Sequence, residues 1–228
     1  MSFIKKNIFE DQIIFDVSGC VFLQSLEILI VSDLHFGKSL SFFEEGNMIP
    51  PYDLDETIKN LNHVVLKYKP SKLVFLGDNF HDNHTVKNLS HLYLKKLNLL
   101  LNDIETIWIE GNHDYNLKNK KKLNGNFLNY YCIKNYEFVH IKSEVSELNN
   151  LQFSGHYHPK TTFKINGVNF QFKCFVLTKN FCILPSFGTY TGGLDINSKT
   201  FSQIFCLNYV IRHRHLSTPG SLALSLLN

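Results

Sequence analysis

Arginine is almost missing from this chain. Only Arg212 and Arg214 occur among 228 residues, and the body up to Val210 takes its fixed positive charge from lysine alone. Planar, two-pronged guanidinium clamps on phosphate are therefore outside the body's repertoire. Both arginines fall in the segment IRHRHLSTPGSLALSLLN, where composition turns abruptly to Arg, His, Ser, Pro and Leu. Residues 212–228 read as a C-terminal tail of anomalous composition, and Arg212-His213-Arg214-His215 as a solvated stretch of it. Cysteine is sparse too: Cys20, Cys132, Cys174, Cys182 and Cys206, an odd count with no C-x-x-C pair. That excludes a disulfide framework and a thiolate zinc site, and leaves buried apolar thiols. No apolar run approaches the roughly 18 residues that span a bilayer. The start, MSFIKKNIFEDQIIF, has no apolar signal core or cleavage site, so a cytoplasmic protein without a membrane partner is expected. The formal charge of +3 is too mild for a dedicated electrostatic DNA binder, yet compatible with a nucleic-acid substrate. Linkers, repeats and low-complexity stretches are absent, which bounds a single domain at 1–211.

What is present is an ordinary globular composition, 44% hydrophobic and 19% charged, with enough apolar material for two sheets. Ile13–Val17 and Val21–Leu23 predict a hairpin around Ser18-Gly19. Leu26–Val31, Leu73–Leu76 and Ile104–Ile109 predict buried strands. Helices over about 54–69 and 85–101 separate them. Asp53 is expected to cap the first helix, with Glu56 closing a capping box, and Met48-Ile49-Pro50-Pro51 to break the chain before it. Strand, helix, strand, helix, strand is the order of a parallel α/β core. Six further segments read as strands of a largely antiparallel second sheet: Tyr136–His140, Leu151–Ser154, Thr161–Ile165, Val168–Leu177, Phe181–Leu184 and Phe201–Tyr209.

Each core strand ends in chemistry. Leu26–Val31 runs into Ser32-Asp33-Leu34-His35, Leu73–Leu76 into Gly77-Asp78, and Ile104–Ile109 into Glu110-Gly111-Asn112-His113-Asp114. Parallel strands place such ends on one edge. His140 closes YEFVH, and Gly155-His156-Tyr157-His158 follows another strand. In a strand, i and i+2 face the same way, so Asp33 and His35 would emerge together. One such pair reads equally as a cap and a satisfied histidine; five such elements in this order do not. Carboxylates, imidazoles and an amide oxygen, without thiolate, suit Mn, Fe, Zn or Ni. The donors are too many for one ion with an open position. They suit two ions about 3.5–4 Å apart sharing a carboxylate.

The order SDLH, GDNFHD, GNHD, FVH, GHYH resembles the calcineurin-like metallophosphoesterase superfamily. DLHFGKS, GHYHPK and LPSFGTYTGG at 184–193 extend the likeness to its ligase-associated DNA-damage-response (PdeM-type) group. The resemblance implies an α/β four-layer sandwich: two mixed β-sheets flanked by helices. It implies two divalent ions, most readily Mn2+. Asp33, His35, Asp78 and His158 would hold one; Asp78, Asn112, His140 and His156 the other. His113 would be the general acid, with Asp114 orienting its ring. Lys38, His81 and Asp82 would stand near the substrate, and Lys118, Lys120, Lys121 and Lys122 near the same edge. The implied activity is hydrolysis of phosphodiesters, of nucleic acid or nucleotides, with a DNA-repair ligase or helicase as partner. Alternatives on the same residues are a phosphomonoesterase or nucleotide pyrophosphatase, and a non-catalytic scaffold. One departure stands out: related enzymes often carry Arg after the GD and GNHD motifs, where Asn83 and Tyr115 stand here.

Overall fold

A computed structural model describes residues 3–44, 46, 50, 52–143, 149–205 and 223–226. The first sheet is built from β1 (Phe3–Ile8), β2 (Asp11–Asp16), β3 (Val21–Leu23), β4 (Ile28–Val31), β5 (Lys72–Leu76), β6 (Glu105–Ile109) and β7 (Asn126–Leu128), side by side in chain order. β1 to β4 are antiparallel neighbours; β4 to β7 run parallel. The parallel strands need crossovers. α1 (Lys38–Glu44) and α2 (Asp53–Tyr68) supply the first; α3 (Thr85–Asn88) and α4 (His91–Leu101) supply the second. The single helix expected at 85–101 is thus two. Ser90 separates them, and its hydroxyl caps α4 by accepting from the Tyr93 N–H.

Asp53 does not cap α2. Tyr52 occupies that position without a side-chain bond, and the buried Asp53 carboxylate instead accepts from the backbone N–H and hydroxyl of Ser39. It thereby ties α1 to α2.

The second sheet holds β8 (Tyr131–Ile133), β9 (Tyr136–Phe138), β10 (Leu151–Ser154), β11 (Lys160–Ile165), β12 (Val168–Leu177), β13 (Phe181–Ile183) and β14 (Ala223–Leu226). Its order is β11-β12-β13-β10-β9-β8, with β14 beside β12. It is mixed rather than largely antiparallel, because β9, β10 and β13 run parallel. The strand expected at 201–209 is helical where it is described, as α5 (Lys199–Phe205). Residues 206–209, Cys206 among them, lie outside the described residues, as do Met48, Ile49, Pro51 and the Arg212–His215 run.

Burial alternates along the strands and defines the layers. Leu29, Val31, Leu73, Phe75 and Trp108 face α2 and α4 through Leu61, Val64, Leu97 and Leu101. The residues between them, Ile28, Ile30, Val74, Leu76, Ile107 and Ile109, pack on Phe138, Leu151, Phe153 and Phe175 of the second sheet. Cys174, Val176 and Ile183 on that sheet's other face meet Phe201 of α5. Helices, sheet, sheet, helix is the four-layer sandwich, and every strand that carries a site residue at its end is buried on both faces. Among the described residues no helix is long and apolar enough to cross a membrane. The four described cysteines are free thiols, three of them buried.

Candidate metal centre

The loops leaving β4, β5, β6 and β10 converge on one edge, joined by His140 just beyond β9. They are laced by their own backbone: Asp33 N–H donates to Gly77 O at 3.2 Å, His35 N–H to Asp78 O at 3.0 Å and Gly155 N–H to His140 O at 3.0 Å. The Asp78 carboxylate accepts from His113 N–H at 3.0 Å, and both Asp33 oxygens accept from His156 N–H at 3.1 Å. Gly77, at φ +81°, passes so close to the His140 ring that a Cβ there would lie 2.4 Å from Nδ1. Only glycine fits.

The pleat does not aim these donors. Asp33, His35, Asp78, His156 and His158 all lie in the left-handed region, with φ of 52°, 45°, 46°, 69° and 44°. For non-glycine residues that conformation is uncommon, and Asp and His tolerate it better than most. Left-handed turns, not strand geometry, bring Asp33 and His35 together. Such strain gathers at functional sites, where the surroundings enforce it.

Two groups of donors result. In Asp33, His35 and His158 the ligand atoms all lie within 4.8 Å of one another. His158 Nε2 is 3.1 Å from Asp33 Oδ1 and 3.3 Å from His35 Nε2. Asp78, His140 and His156 form an equally tight group, and Asp78 forms another with His35 and His113, so it stands between the two. Asn112 joins through Oδ1, 3.0 Å from His140 Nε2.

The protonation pattern tests whether cations fit. His140 Nδ1 is 2.8 Å from Leu76 O, an acceptor only, so Nδ1 carries the proton. The neutral ring then presents a lone pair at Nε2. Facing it are Asn112 Oδ1 at 3.0 Å, Asp78 Oδ1 at 3.3 Å and His156 Nδ1 at 3.3 Å. Lone pairs gathered on one spot call for a cation. Without one the ring must take a proton: burial opposes that, but the Asp78 carboxylate prevails and raises the His140 pKa. Asp78 is itself held far below the usual carboxylate range, its burial outweighed by the His140 bond and charge. Burial lowers His35 to about 4 and also lowers His156, so both are neutral imidazoles ready to coordinate. The donor set is hard to borderline throughout, which fits divalent ions.

His113 projects beside this centre with its side chain 40% exposed. Its Nδ1 lies 2.7 Å from His81 O, and its Nε2 lies 4.0 Å from Asp78 Oδ2. Asp114 does not orient it. The wholly buried Asp114 carboxylate accepts from the N–H groups of Asn79, Phe80 and Gly111 and from Asn79 Nδ2, at 2.8–3.1 Å. It clamps the β5 and β6 loops together, and the His81 carbonyl does the orienting instead. Asp82 is likewise occupied, by the Ser41 hydroxyl, the His84 N–H and Thr85, and fastens α1 to α3. The His81 ring lies at the rim, stacked on His113 at 5.8 Å and beside Phe42 at 5.8 Å. Lys38 is half-buried, its Nζ 5.6 Å from the Phe42 ring. Lys120 pairs with Glu110, just before Gly111, and lies over Phe127. Sequence reasoning passed over Ser32, whose hydroxyl donates to Asp33 Oδ2 at 2.5 Å, and Asn79, which bonds Ile109 O and Asp114. Only their adjacency to Asp33 and Asp78 marked them.

A four-layer α/β sandwich with paired Asp/His clusters on one sheet edge defines a metal-binding phosphoesterase class. The calcineurin-like phosphoesterase family model matches residues 26–211, and the chain belongs to that family. Among solved structures it is similar to the Pseudomonas putida nuclease MPE, at 21% identity and a TM-score of 0.70, covering 86% of this chain and 92% of that one. That likeness speaks to the fold. Looser ones are to the E. coli phosphoesterase YfcE (13% identity, TM-score 0.39, 73% and 83% covered) and to a predicted phosphoesterase from Streptococcus pneumoniae TIGR4 (14%, 0.31, 73% and 76%). No curated protein matches the chain.

Proposed function

We propose that the protein is a binuclear metal-dependent phosphodiesterase acting on nucleic acid or nucleotides. The observation that carries this reading is the convergence of lone pairs on His140 Nε2 beside a second donor group that shares Asp78. Asp33, His35, Asp78 and His158 would hold one ion, and Asp78, Asn112, His140 and His156 the other. Bound divalent ions neutralise phosphate charge and bring the pKa of a water near neutrality. The remaining roles belong to the chain. Asp78 holds the two groups in register. His113 gives the proton at Nε2 to the leaving oxygen, while its Nδ1–H, donating to His81 O, fixes the ring. Lys38 and His81 at the rim meet the phosphate as single contacts, consistent with a body that has no arginine.

A nuclease shares this fold, and the DLHFGKS and LPSFGTYTGG stretches resemble a DNA-repair group; both favour a nucleic-acid diester. The test is a parallel assay with Mn2+ on bis-p-nitrophenyl phosphate, p-nitrophenyl phosphate, single-stranded DNA and nucleotides. Diester cleavage exceeding monoester cleavage is expected. Metal-replete protein inert on all four substrates would leave the scaffold reading standing.

A further inference from the structure

The segment 184–193 follows β13 and reaches back to the turn that carries Asp33. Phe187 N–H donates to Ser32 O at 2.7 Å and Gly188 N–H to Asp33 O at 3.2 Å. The approach is so close that a Cβ on Gly188 would lie 1.9 Å from Leu34 O. This strap therefore sits directly on the backbone of the first donor group.

Two lysines hold it. Lys160 on β11 and Lys173 on β12 are direct partners across the antiparallel ladder. Like charges in register destabilise a strand pair, so their pairing needs a compensating contact. The strap supplies one. Lys173 Nζ donates to Ser186 O at 2.6 Å and Gly188 O at 3.0 Å, the carbonyls either side of Phe187. Lys160 Nζ reaches Thr191 O at 3.4 Å. Burial, and then Lys160, lower the Lys173 pKa to about 8, with Asp33 and Glu56 opposing, so the ammonium keeps its charge near neutrality.

We infer that Lys173 is a positioning residue for Asp33. Its ammonium fastens the carbonyls of Ser186 and Gly188, the strap's amides then hold the Ser32–Asp33 backbone, and the Asp33 carboxylate stays turned into the donor group. The inference rests on the metal-centre reading of that group.

Calorimetric titration of Mn2+ into the metal-free full chain tests it. Lys173→Met keeps the stem and removes the donors. Affinity for Mn2+ should fall about tenfold or more, as when a partner of a ligand is lost. Lys173→Arg, which restores N–H donors and charge, should recover most of that loss, and kcat of Lys173→Met should return toward wild type when Mn2+ is raised to saturation. Gly188→Ala strikes the same contact from the strap and should weaken Mn2+ in the same direction. If Lys173→Met does not fold, Lys173→Gln, with one donor group left, is read in its place with the same expected loss. Wild-type binding together with unchanged binding by Lys173→Met overturns this inference alone, as does an arginine variant no better than methionine. A wild-type protein that binds no Mn2+ overturns the metal-centre reading and this inference with it.

Discussion

Asp78 and Asp114 are both buried carboxylates at the ends of neighbouring parallel strands, and they live in opposite surroundings. Around Asp78 stand His140, His113 and, through His140, Asn112 and His156: a region rich in lone pairs that a proton on His140 or a cation would balance. Around Asp114 stand backbone and amide N–H groups that saturate both oxygens. The first carboxylate is held far below its ordinary pKa; burial, against the pull of those amides, pushes the second up to about 6. A carboxylate short of donors is a place for a cation. One already supplied with donors is a clamp, however close it lies in sequence to His113 and Asn112.

The largest test of that contrast is Asp78→Ala. Removing the shared carboxylate should lower kcat/KM on bis-p-nitrophenyl phosphate by about a thousandfold or more, since metal-borne charge stabilisation is worth several kcal/mol. Steady-state rates with Mn2+ decide it, and a loss under about tenfold would remove Asp78 from its central place. Next comes His113→Ala. Esters with poor leaving groups should slow by about a hundredfold, while p-nitrophenyl esters, which need little protonation, slow far less. Equal losses would deny His113 an acid role. For Asp114→Asn the damage should be to stability. A carboxamide sets N–H against N–H, costing about 2–3 kcal/mol in a denaturant titration, with kcat per folded molecule unchanged. A collapse of kcat without loss of stability would return Asp114 to the active machinery.

The smallest effect is in pH. The folded pKa of Asp114, about 6, lies above the unfolded value of about 3.9, so the folded state holds that proton more tightly. Its contribution is fully present below about pH 4 and is lost as pH rises through about 6. The stability gap between wild type and Asp114→Asn, measured on metal-free protein, should narrow from pH 4 to 7. A gap that widens would show the amides outweighing burial.

Much of this was legible in the residues, for physical reasons. Strands buried on both faces need unbroken apolar runs, so β4, β5 and β6 announced themselves, and polar donors just after them had one edge to share. What escaped depended on contacts distant in sequence. Asp114 follows His113 directly, yet which way its carboxylate turns is decided by the Asn79 loop. Asp53 sits where a cap belongs, yet Ser39 claims it. Phe201, Ile204 and Phe205 have helical spacing inside a stretch that also satisfies a strand, and α5 prevails. The β1, β7 and β8 strands are too short or too polar to signal themselves. The strap at 184–193 is marked by its likeness to the DNA-repair group, but which backbone it docks on, Ser32 and Asp33, is decided by contacts distant in sequence.

The donors are divided between layers: Asp33, His35, Asp78 and Asn112 come from the ends of the first sheet's strands, His140, His156 and His158 from the second. Chelation by this set would therefore staple one half of the sandwich to the other. An ion bound here would be loosened by an opening between the sheets, even one that left each sheet whole, and a nascent chain that had not yet made β9 and β10 would have only the first sheet's four donors with which to grip it.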